Sequence, residues 1–436
     1  MTQLRRLKHV ADVRFSSVDK KTVDGQIDVR LCNYTDVYYN ERILADMPFM
    51  DATATPDQIA AYTLRGGDVL LTKDSETADD IGVSAYVPLD LPGVLCGYHL
   101  AVARPHPSAI DGRYLRWALV STASRQQLEL AATGVTRFGL RQDAVGGMTI
   151  PALPLHEQVA IADYLDAETA RIDRMLQMLD GLRALLEDRW SRVLDDEVLG
   201  RTSRHEPDRG AEPVGPFAAA VRRWPVGWTP QPLKRVLVAN QSGVWGEDPT
   251  GAHDTVVLRS TDISMDGAWT ISDPATRSLT LFEAHAARLD VGDIVVVTSS
   301  GSEQHIGKAA IVDRAVADLG AAFSNFTQRL AVSKAADPKY VWYLLRSPFG
   351  REQLRWLSST TTGLRNLSGR VLGAVTYPGP PLSEQRRIVS TLDDVRSDLD
   401  KIAGRLEQQI SLLLERRQAL ITAAVTGQLD IPGVAA

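Results

Sequence analysis

Residues 152–166 read ALPLHEQVAIADYLD, and residues 379–393 read GPPLSEQRRIVSTLD. Both stretches have proline just before a Leu-x-Glu-Gln sequence, and both keep the same spacing of apolar residues. Proline is tolerated in the first turn of a helix, and an acidic residue there complements the positive end of the helix dipole. The two stretches therefore predict the beginnings of two similar helices, one in each half of the chain.

Apolar residues recur every seven positions after each beginning. In the first helix they are Leu165, Ile172, Leu179, Leu186 and Val193, and in the second they are Leu392, Leu399, Leu406, Leu413 and Leu420. Five heptads favour a coiled coil over a helix on the surface of a globular core, because such helices rarely keep a seven-residue period for so long. Two helices of about 40 residues in one chain most simply pack on each other, and we expect them to run antiparallel.

The two helices belong to a larger duplication of the chain. Residues 65–88, RGGDVLLTKDSETADDIGVSAYVP, align without a gap with residues 290–313, DVGDIVVVTSSGSEQHIGKAAIVD. GDVLL and GDIVVVT predict buried strands, AYV and AAIV predict their partner strands, and residues 111–132 and 337–357 each predict an amphipathic helix. The expected fold class is α/β (α+β). It consists of two tandem mixed α/β domains and two long helices that form an antiparallel coiled coil, with a pseudo-two-fold repeat.

Proline clusters and a polar stretch place the expected domain boundaries. The first α/β domain covers 1–150, the first long helix 151–200, a linker 201–216, the second α/β domain 217–378 and the second long helix 379–431. Residues 201–216 are predicted to be a linker because glycine, proline and charged residues dominate them. The helices begin after Pro154 and Pro381, where proline breaks the preceding structure.

Composition narrows the class of protein. The chain has 436 residues, enough for several domains, and no apolar run long enough to span a membrane. Its two cysteines are too few for a disulfide framework, which favours a reducing cytoplasm. The net charge of −6 argues against a nucleic-acid partner when taken alone. Affinity for phosphates depends on local patches, however, and residues 214–378 are net positive.

No catalytic motif is present in the sequence. GSEQHIGKAA at 301–310 follows a strand but lacks the spacing and the Ser or Thr of a phosphate-binding P-loop. No Gly-x-Gly-x-x-Gly follows a strand, and no nucleophile elbow, zinc-protease motif or Cys/His zinc spacing occurs. We therefore expect a chain that is not itself an enzyme and that holds no metal or other cofactor.

Basic and aromatic residues near the repeated loops are candidates for contact with DNA. They are Arg30, Lys73, Arg104, Arg137 and Arg141 in the first copy, and Trp245, Arg259, Lys308, Arg329, Arg365 and Arg370 in the second. Guanidinium groups hold phosphates and read guanine edges, although for any single one of these arginines the interpretation as a solvated surface residue is favoured. The equivalent loops of the two copies have different sequences. TKDSETADD of the first copy stands against TSSGSEQH of the second, and NYTDVYYN of the first against TDISMDGAW of the second. Such divergence on a shared frame fits two specificities or drift after duplication.

The closing stretch, LLERRQALITAAVTGQLDI at 413–431, carries a resemblance to a known family. Together with the doubled Pro-Leu-x-Glu-Gln, the heptads and WPVGW at 224–228, it resembles the specificity subunits of type I restriction–modification systems. The first half departs from that pattern. It lacks the Pro-x-Gly-Trp beginning, and its helix ends in LLEDRWSRVLDDEVLG at 185–200.

The resemblance implies a definite function. Each α/β domain would be a target-recognition domain that reads one half of a bipartite, asymmetric site in double-stranded DNA. The coiled coil would set the gap between half-sites and dock two methyltransferase subunits, which bind S-adenosylmethionine, and a translocating nuclease subunit would complete the complex. The alternatives from the residues alone are a structural coiled-coil adaptor without DNA contact and a self-contained nuclease or methyltransferase.

Overall fold

The structure is a computed structural model that describes residues 3–202, 225–251, 254–358 and 367–434. They form two compact units, Met1–Asp180 with Leu406–Ala436 (unit 1), and Gly181–Arg405 (unit 2). Each unit combines an α/β part with segments of both long helices. Residues 203–216 of the predicted linker lie outside the described residues.

Unit 1 holds twelve short strands among its described residues. They are β1 (Gln3–Arg6), β2 (Ala11–Phe15), β3 (Ile27–Cys32), β4 (Met50–Ala54), β5 (Thr63–Leu64), β6 (Val69–Thr72), β7 (Asp74–Ser75), β8 (Ser84–Tyr86), β9 (Leu91–Cys96), β10 (Leu100–Pro105), β11 (Phe138–Gly139) and β12 (Thr149–Ala152). The helices are α1 (Tyr34–Tyr38), α2 (Pro56–Tyr62), α3 (Gly112–Val120), α4 (Thr122–Ala131), α5 (Gln142–Gly147) and the first part of α6 (Leu155–Val198).

Unit 2 repeats most of this order. Its strands are β13 (Gln231–Pro232), β14 (Leu237–Ser242), β15 (Asp254–Leu258), β16 (Ala275–Ser278), β17 (Ile294–Val297), β18 (Ala309–Ile311), β19 (Ala322–Phe323), β20 (Thr327–Val332) and β21 (Thr376–Tyr377). The helices are α7 (Leu281–Ala286), α8 (Arg314–Asp318), α9 (Pro338–Arg346), α10 (Pro348–Ser358), α11 (Gly369–Ala374) and the first part of α12 (Leu382–Val425).

The main sheet has the same strand order in both units, whereas the second sheet has four strands in unit 1 and three described strands in unit 2. Unit 1 has the order β2-β10-β6-β8 and unit 2 the order β14-β20-β17-β18, with antiparallel pairing throughout. A second sheet contains the parallel pair β3-β9 in unit 1 and β15-β19 in unit 2. The predicted Gly-Asp strands are β6 and β17, whose residues are all buried. Their predicted partners are β8 and β18, so the duplicated α/β frame is confirmed.

Each predicted amphipathic helix is in fact two helices broken at a serine. Ser121 separates α3 from α4, and Ser347 separates α9 from α10, both with extended backbone. In each case the serine hydroxyl donates to a carbonyl three residues earlier, Ala118 O at 2.7 Å and Leu344 O at 2.9 Å. Pro348 adds a second cause in unit 2, because proline disfavours helical backbone in the residue before it.

The repeated glutamines Gln158 and Gln385 tie each α/β part to the long helix that follows it. Gln158 accepts a hydrogen bond from Asp111 N at 2.8 Å and donates to Leu153 O at 2.7 Å. Gln385 accepts from Asp337 N at 2.7 Å and donates to Pro380 O at 2.8 Å. Asp111 and Asp337 cap α3 and α9, so the Pro-Leu-x-Glu-Gln motif is a structural joint.

The long helices α6 and α12 run antiparallel. In unit 1, Arg417 of α12 donates to Asp173 of α6 at 2.9 Å. In unit 2, Arg387 of α12 donates to Glu197 of α6 at 3.2 Å. Numbers therefore rise along α6 as they fall along α12, as the heptads predicted.

The seam between these helices is buried unevenly. Leu165 in unit 1, and Leu392 and Leu399 in unit 2, are buried against α/β cores, and Ile172 is also buried. The other residues of the predicted heptad columns are half-buried: Leu179, Leu186, Val193, Leu406, Leu413 and Leu420. Two helices alone leave one side of a seam open, which explains the difference. No helix in the described part of the chain is long and apolar enough to cross a membrane.

Candidate nucleic-acid interface

The loops that differ between the two copies are held by the same contact. In unit 1 the guanidinium of Arg125, on α4, donates to the carbonyl oxygen of Asp79 in the β7–β8 loop at 3.2 Å. In unit 2 the guanidinium of Arg351, on α10, donates to Gln304 O in the β17–β18 loop at 3.3 Å. A bond to the main chain is independent of the loop's side chains. The loop sequence can therefore diverge while its position is kept.

Each of these loops ends at a glycine that packs against the equivalent helix of its unit, α4 in unit 1 and α10 in unit 2. Gly82 and Gly307 have φ values of +75° and +78°, a conformation that L side chains rarely adopt. A Cβ at Gly82 would lie 2.5 Å from the Leu128 side chain, and one at Gly307 would lie 2.8 Å from Arg351. The base of each variable loop is thus a shared, tightly packed structure.

A tyrosine-lined cavity of about 730 Å³ lies beside the variable loop of unit 1. Tyr34 and Tyr38 stack with ring centroids 5.4 Å apart, and Tyr39 meets Tyr38 edge-on at 5.0 Å. The Tyr38 hydroxyl donates to Asp80 at 2.8 Å, and this hydrogen bond raises the pKa of Tyr38 to about 12. Arg137, a sequence-predicted candidate, lines the same cavity. The cavity therefore offers aromatic faces, carboxylates and one guanidinium, groups able to meet base edges.

Lys73 lies between aromatic rings at the start of this loop. Its ammonium is 4.1 Å from the ring centroid of Tyr98 and 5.4 Å from that of Phe15. Burial lowers the pKa of Lys73. Its neighbour Asp74 contacts His99 at 2.6 Å. The cation is held in place by the rings.

Trp245 of unit 2 forms a similar pair. The guanidinium of Arg277 lies 4.9 Å from the Trp245 ring centroid and donates to Asp248 at 2.7 Å. Trp245 packs against a buried cluster between β15 and β17. This arrangement fixes an arginine and an aromatic ring on the same part of the α/β frame.

Two sequence-predicted arginines form equivalent internal ion pairs. Arg104 donates to both carboxylate oxygens of Asp68 at 2.8 Å, and Arg329 contacts Asp293 at 2.6 Å. Asp68 and Asp293 are the aspartates of the repeated Gly-Asp turns and are buried. Because the pairs recur at matching positions, they belong to the shared frame.

Arg259 and Lys308 also meet internal partners. Arg259 donates to Asp262 at 3.1 Å, within the turn that follows β15. Lys308 is buried, which lowers its pKa, and its ammonium donates to the carbonyl oxygens of Ser260 at 3.0 Å and Ile263 at 2.5 Å. Lys308 thereby joins the end of one variable loop to the start of another.

Four predicted candidates are exposed. Arg30 lies 5.7 Å from the Phe49 ring, and Arg141 pairs with exposed Asp143 at 3.0 Å. Arg137 and Arg370 are also exposed. Three of these cations belong to unit 1, and Arg370 belongs to unit 2. Arg365 lies outside the described residues.

An arginine–carboxylate network in unit 1 was missed by the sequence reasoning. Glu41 contacts Arg116 at 3.0 Å and Arg417 at 2.5 Å, which connects the loop after α1 with α3 and α12. Arg116 is buried, and its guanidinium lies 4.2 Å from the Trp117 ring centroid. Charge alone gave no sign of these pairings, because the partners are far apart in sequence.

No group of residues suited to a metal ion occurs in the described part of the chain. Cys32 and Cys96 are free, buried and opposite each other on β3 and β9. Burial raises the pKa of the Cys32 thiol well above its ordinary value, so it is an unreactive thiol.

The amino-acid sequence of the chain is similar to those of several known proteins. No protein-family model matches the chain. It is 22% identical over 367 residues to the type I restriction enzyme EcoKI specificity subunit of Escherichia coli (strain K12), covering 83% of this chain and 75% of that protein. It is 32% identical over 137 residues to the StySPI specificity subunit of Salmonella potsdam, covering 31% of this chain and 29% of that protein.

Two solved structures match the whole chain. One comes from a study of complex assembly and conformational transition of the type I R-M system, with a TM-score of 0.66, 17% identity and 98% of each chain covered. The other is the HsdS subunit from Thermoanaerobacter tengcongensis, with a TM-score of 0.50, 18% identity, and 98% of this chain and 97% of that chain covered. At these identities the likeness establishes a shared fold, so the chain has the architecture of an HsdS subunit.

The relatives found by sequence give a more specific description than the shared fold does. The chain is a homologue of the specificity subunits of type I restriction enzymes, which confirms the family predicted from the closing motif. It also agrees with the prediction of a chain that is not itself an enzyme.

Proposed function

We propose that this chain is the DNA sequence-specificity subunit of a type I restriction–modification complex. One observation carries the proposal: the main sheets of the two α/β frames have the same strand order, yet they carry different loops held by equivalent contacts. A frame with interchangeable loops suits recognition of two different targets. Each α/β part is then a target-recognition domain for one half of a bipartite, asymmetric site in double-stranded DNA.

The variable loops supply the groups for reading bases. In the first recognition domain, Arg137 and the tyrosine-lined cavity stand beside the loop that Arg125 holds. Tyrosine rings contact thymine methyl groups or stack on bases, and guanidinium groups read guanine edges. Arg30, Arg141 and Arg370 are exposed and suit phosphate contacts. The candidates with internal partners, among them Arg104 and Arg329, support the frame.

The long helices set the gap between half-sites and dock the partner subunits. In unit 1, Met175, Met178, Leu179, Leu412 and Leu413 line an open, mostly apolar groove of about 470 Å³ on the helix pair. Exposed methionines and leucines in such a groove are typical of a protein-binding surface. The occupants that we propose are the two methyltransferase subunits, which bind S-adenosylmethionine, with a motor nuclease subunit completing the complex. A chain that reads cellular DNA works in the cytoplasm.

A gel shift separates this function from a coiled-coil adaptor that does not touch DNA. The full chain is mixed with random-sequence duplexes, alone and with the methyltransferase product of the neighbouring gene. We expect retarded duplex, more of it in the presence of the partner. Absence of binding under both conditions would contradict the proposal.

Binding of the methyl donor tests the second alternative, a self-contained methyltransferase. Calorimetry with S-adenosylmethionine should give no saturable heat for the isolated chain and a saturable signal once the partner subunit is added. Tight binding to the chain alone would assign the chemistry to this protein.

A further inference from the structure

An arginine-lined cavity of about 430 Å³ lies in unit 2, where the α/β part meets the long helices. Arg346 from α9, Arg351 from α10 and Arg396 from α12 contribute guanidinium groups to its lining. Trp190, from α6, forms part of the wall. Three helices therefore bring three permanent positive charges into one concave site.

Arg346 is half-buried, and its guanidinium has no hydrogen bond or ion pair to any residue that the structure describes. Its guanidinium lies 4.3 Å from the Trp342 ring centroid. Burial lowers the pKa of Arg346 to about 10, and Arg396 and Arg351 act in the same direction, while Asp266 opposes them. A guanidinium carries five N–H donors, and holding three like charges close together costs free energy that an anion would offset.

Carboxylates do not neutralise this cavity. Only two contribute to its lining, Asp266 and the exposed Glu187. Asp266 already accepts a hydrogen bond from the Ser264 hydroxyl. Arg396 pairs with Asp400 at 2.8 Å on its own helix, and its guanidinium lies 5.5 Å from the Trp190 ring centroid. Positive charge remains in excess around the empty volume.

The matching junction in unit 1 differs. A cavity of about 300 Å³ there is lined by arginines that each meet a carboxylate. Arg42 contacts Asp166 at 3.2 Å, Arg113 contacts Asp163 at 2.6 Å and Arg116 contacts Glu41 at 3.0 Å. Val120 and Thr169 occupy the sequence positions that correspond to Arg346 and Arg396. Arg346 and Arg396 are therefore specific to the second copy, whereas Arg351 corresponds to Arg125 of the repeated frame.

A second cavity of about 560 Å³ continues the basic surface toward the variable loops. It shares Arg351 with the first cavity and adds the exposed Arg355. Its lining also includes Ser302 and Gln304 of the variable loop TSSGSEQH and Met265 of the variable loop TDISMDGAW. The arginines thus lead from the helix junction to the loops that distinguish the two copies.

We propose that Arg346, Arg351 and Arg396 bind a phosphate of the DNA backbone next to the half-site read by the second recognition domain. The proposal rests on the proposed function. Guanidinium groups match phosphate oxygens in bidentate geometry, and phosphate contacts fix the register of a protein on its duplex without reading sequence. The position beside the variable loops favours the backbone of the DNA being read over a free phosphate.

Salt dependence of binding tests the site. The full chain with its methyltransferase partner is titrated with cognate and non-cognate duplexes over a range of salt concentrations. For the double substitution Arg346→Gln with Arg396→Gln, we expect roughly tenfold weaker binding to both duplexes at about 0.1 M salt. The slope of log K against log salt should become less steep by about 1.

Two further variants control this experiment. Arg192→Gln removes one exposed positive charge from α6, outside the cavity, and should leave the slope unchanged. Arg346→Lys keeps the charge and should keep the slope while weakening binding, because bidentate geometry is lost. Since Lys preserves the buried charge, this variant also remains informative should the double substitution fail to fold.

The outcomes separate the possible ligands. If the wild-type complex binds no DNA, the proposed function itself is wrong. If it binds DNA and the double variant keeps the wild-type slope, the phosphate site is wrong, and weakened assembly with the methyltransferase subunit would assign the cluster to a protein carboxylate. If inorganic phosphate raises the melting temperature of the wild type alone while the DNA slope is unchanged, the ligand is a free phosphate species and the DNA assignment is overturned.

Discussion

Single residues join the recognition frames to the helices, and they do so in the same way twice. Trp117 donates its indole N–H to Asp166 at 3.0 Å, and Tyr343 donates its hydroxyl to Asp393 at 2.6 Å. The aromatic residue changes between copies, while the aspartate on the long helix is kept. A carboxylate on the long helix accepts a hydrogen bond from either donor. Asp166 and Asp393 therefore join each α/β part to a long helix, as Gln158 and Gln385 do.

The first prediction concerns Glu41, which bridges Arg116 and Arg417. Although burial opposes its ionisation, the two guanidinium groups hold the pKa of Glu41 below its ordinary value of 4.5. A lowered pKa means that the bridge contributes stability above pH 4.5 and loses it as the pH falls further. We expect Glu41→Gln to lose about 1–2 kcal/mol in urea unfolding at pH 7, because the half-exposed carboxylate is partly screened.

The difference between Glu41→Gln and wild type should shrink as the pH falls below 4.5. Asp143→Asn is the matched control, since Asp143 forms an exposed pair with Arg141 and should change stability by less than about 0.5 kcal/mol. A deficit of Glu41→Gln that stayed constant down to pH 3 would show that the charge of Glu41 is not responsible.

The second prediction concerns the bond that holds the variable loop of unit 1. Arg125→Ala removes the donor to Asp79 O, so amide hydrogen exchange should quicken in residues 76–80 and remain unchanged in residues 302–306. If the proposed function holds, discrimination should relax at one half-site only. Arg125→Lys keeps a donor and should restore part of the protection. Unchanged exchange in Arg125→Ala would show that other contacts hold the loop.

The long helices are the elements through which spacing can be tested. Adding or deleting one four-residue step between Leu399 and Leu406 shifts the seam relative to the partner helix. We expect this change to alter the permitted gap between half-sites or to abolish binding. An unchanged gap would refute the role of the helices as a spacer.

An insertion of equal size in both long helices keeps the seam between them intact and changes only the length of the helix pair. Seven residues are added between Leu179 and Leu186 in α6 and between Leu399 and Leu406 in α12, so both helices keep their heptad phase. Each helix lengthens by about 10 Å, which corresponds to about three base pairs of B-DNA. Selection from random-gap duplexes should recover a correspondingly longer gap.

If the proposed function is right, the two α/β parts of the molecule recognise their half-sites independently of each other. Exchanging residues 1–150 for the corresponding domain of another family member should change one half-site and leave the other as it was. Methylome sequencing of cells that carry the chimeric complex reads both half-sites at once. A change in both, or in neither, would contradict independent recognition.

The structure shows which residues of an exchanged domain must match the long helices. Glu41, Arg42 and Arg113 of the exchanged part contact the long helices, at Arg417, Asp166 and Asp163 respectively. A donor domain without these charges would leave the half-buried Arg417 and Asp166, and the exposed Asp163, without these partners. The control chimera therefore retains the three residues of the present chain.

The sequence by itself determined the duplication, the two long helices, the paired strands and the family. Repeats and heptads are properties of the linear order of residues, so they are visible before folding. It also located the structural joints, because Pro-Leu-x-Glu-Gln occurs twice. The serine breaks at 121 and 347 escaped it, since the helical periodicity continues across both.

Only the tertiary structure decided which cations are available to a partner. Arg104 and Arg346 are both arginines near repeated segments, yet Arg104 meets a buried aspartate and Arg346 faces an open cavity. The difference depends on residues tens of positions away that the fold brings together. Ion pairing is a short-range effect of three-dimensional neighbours, so charge in the sequence marks candidates and the fold selects among them.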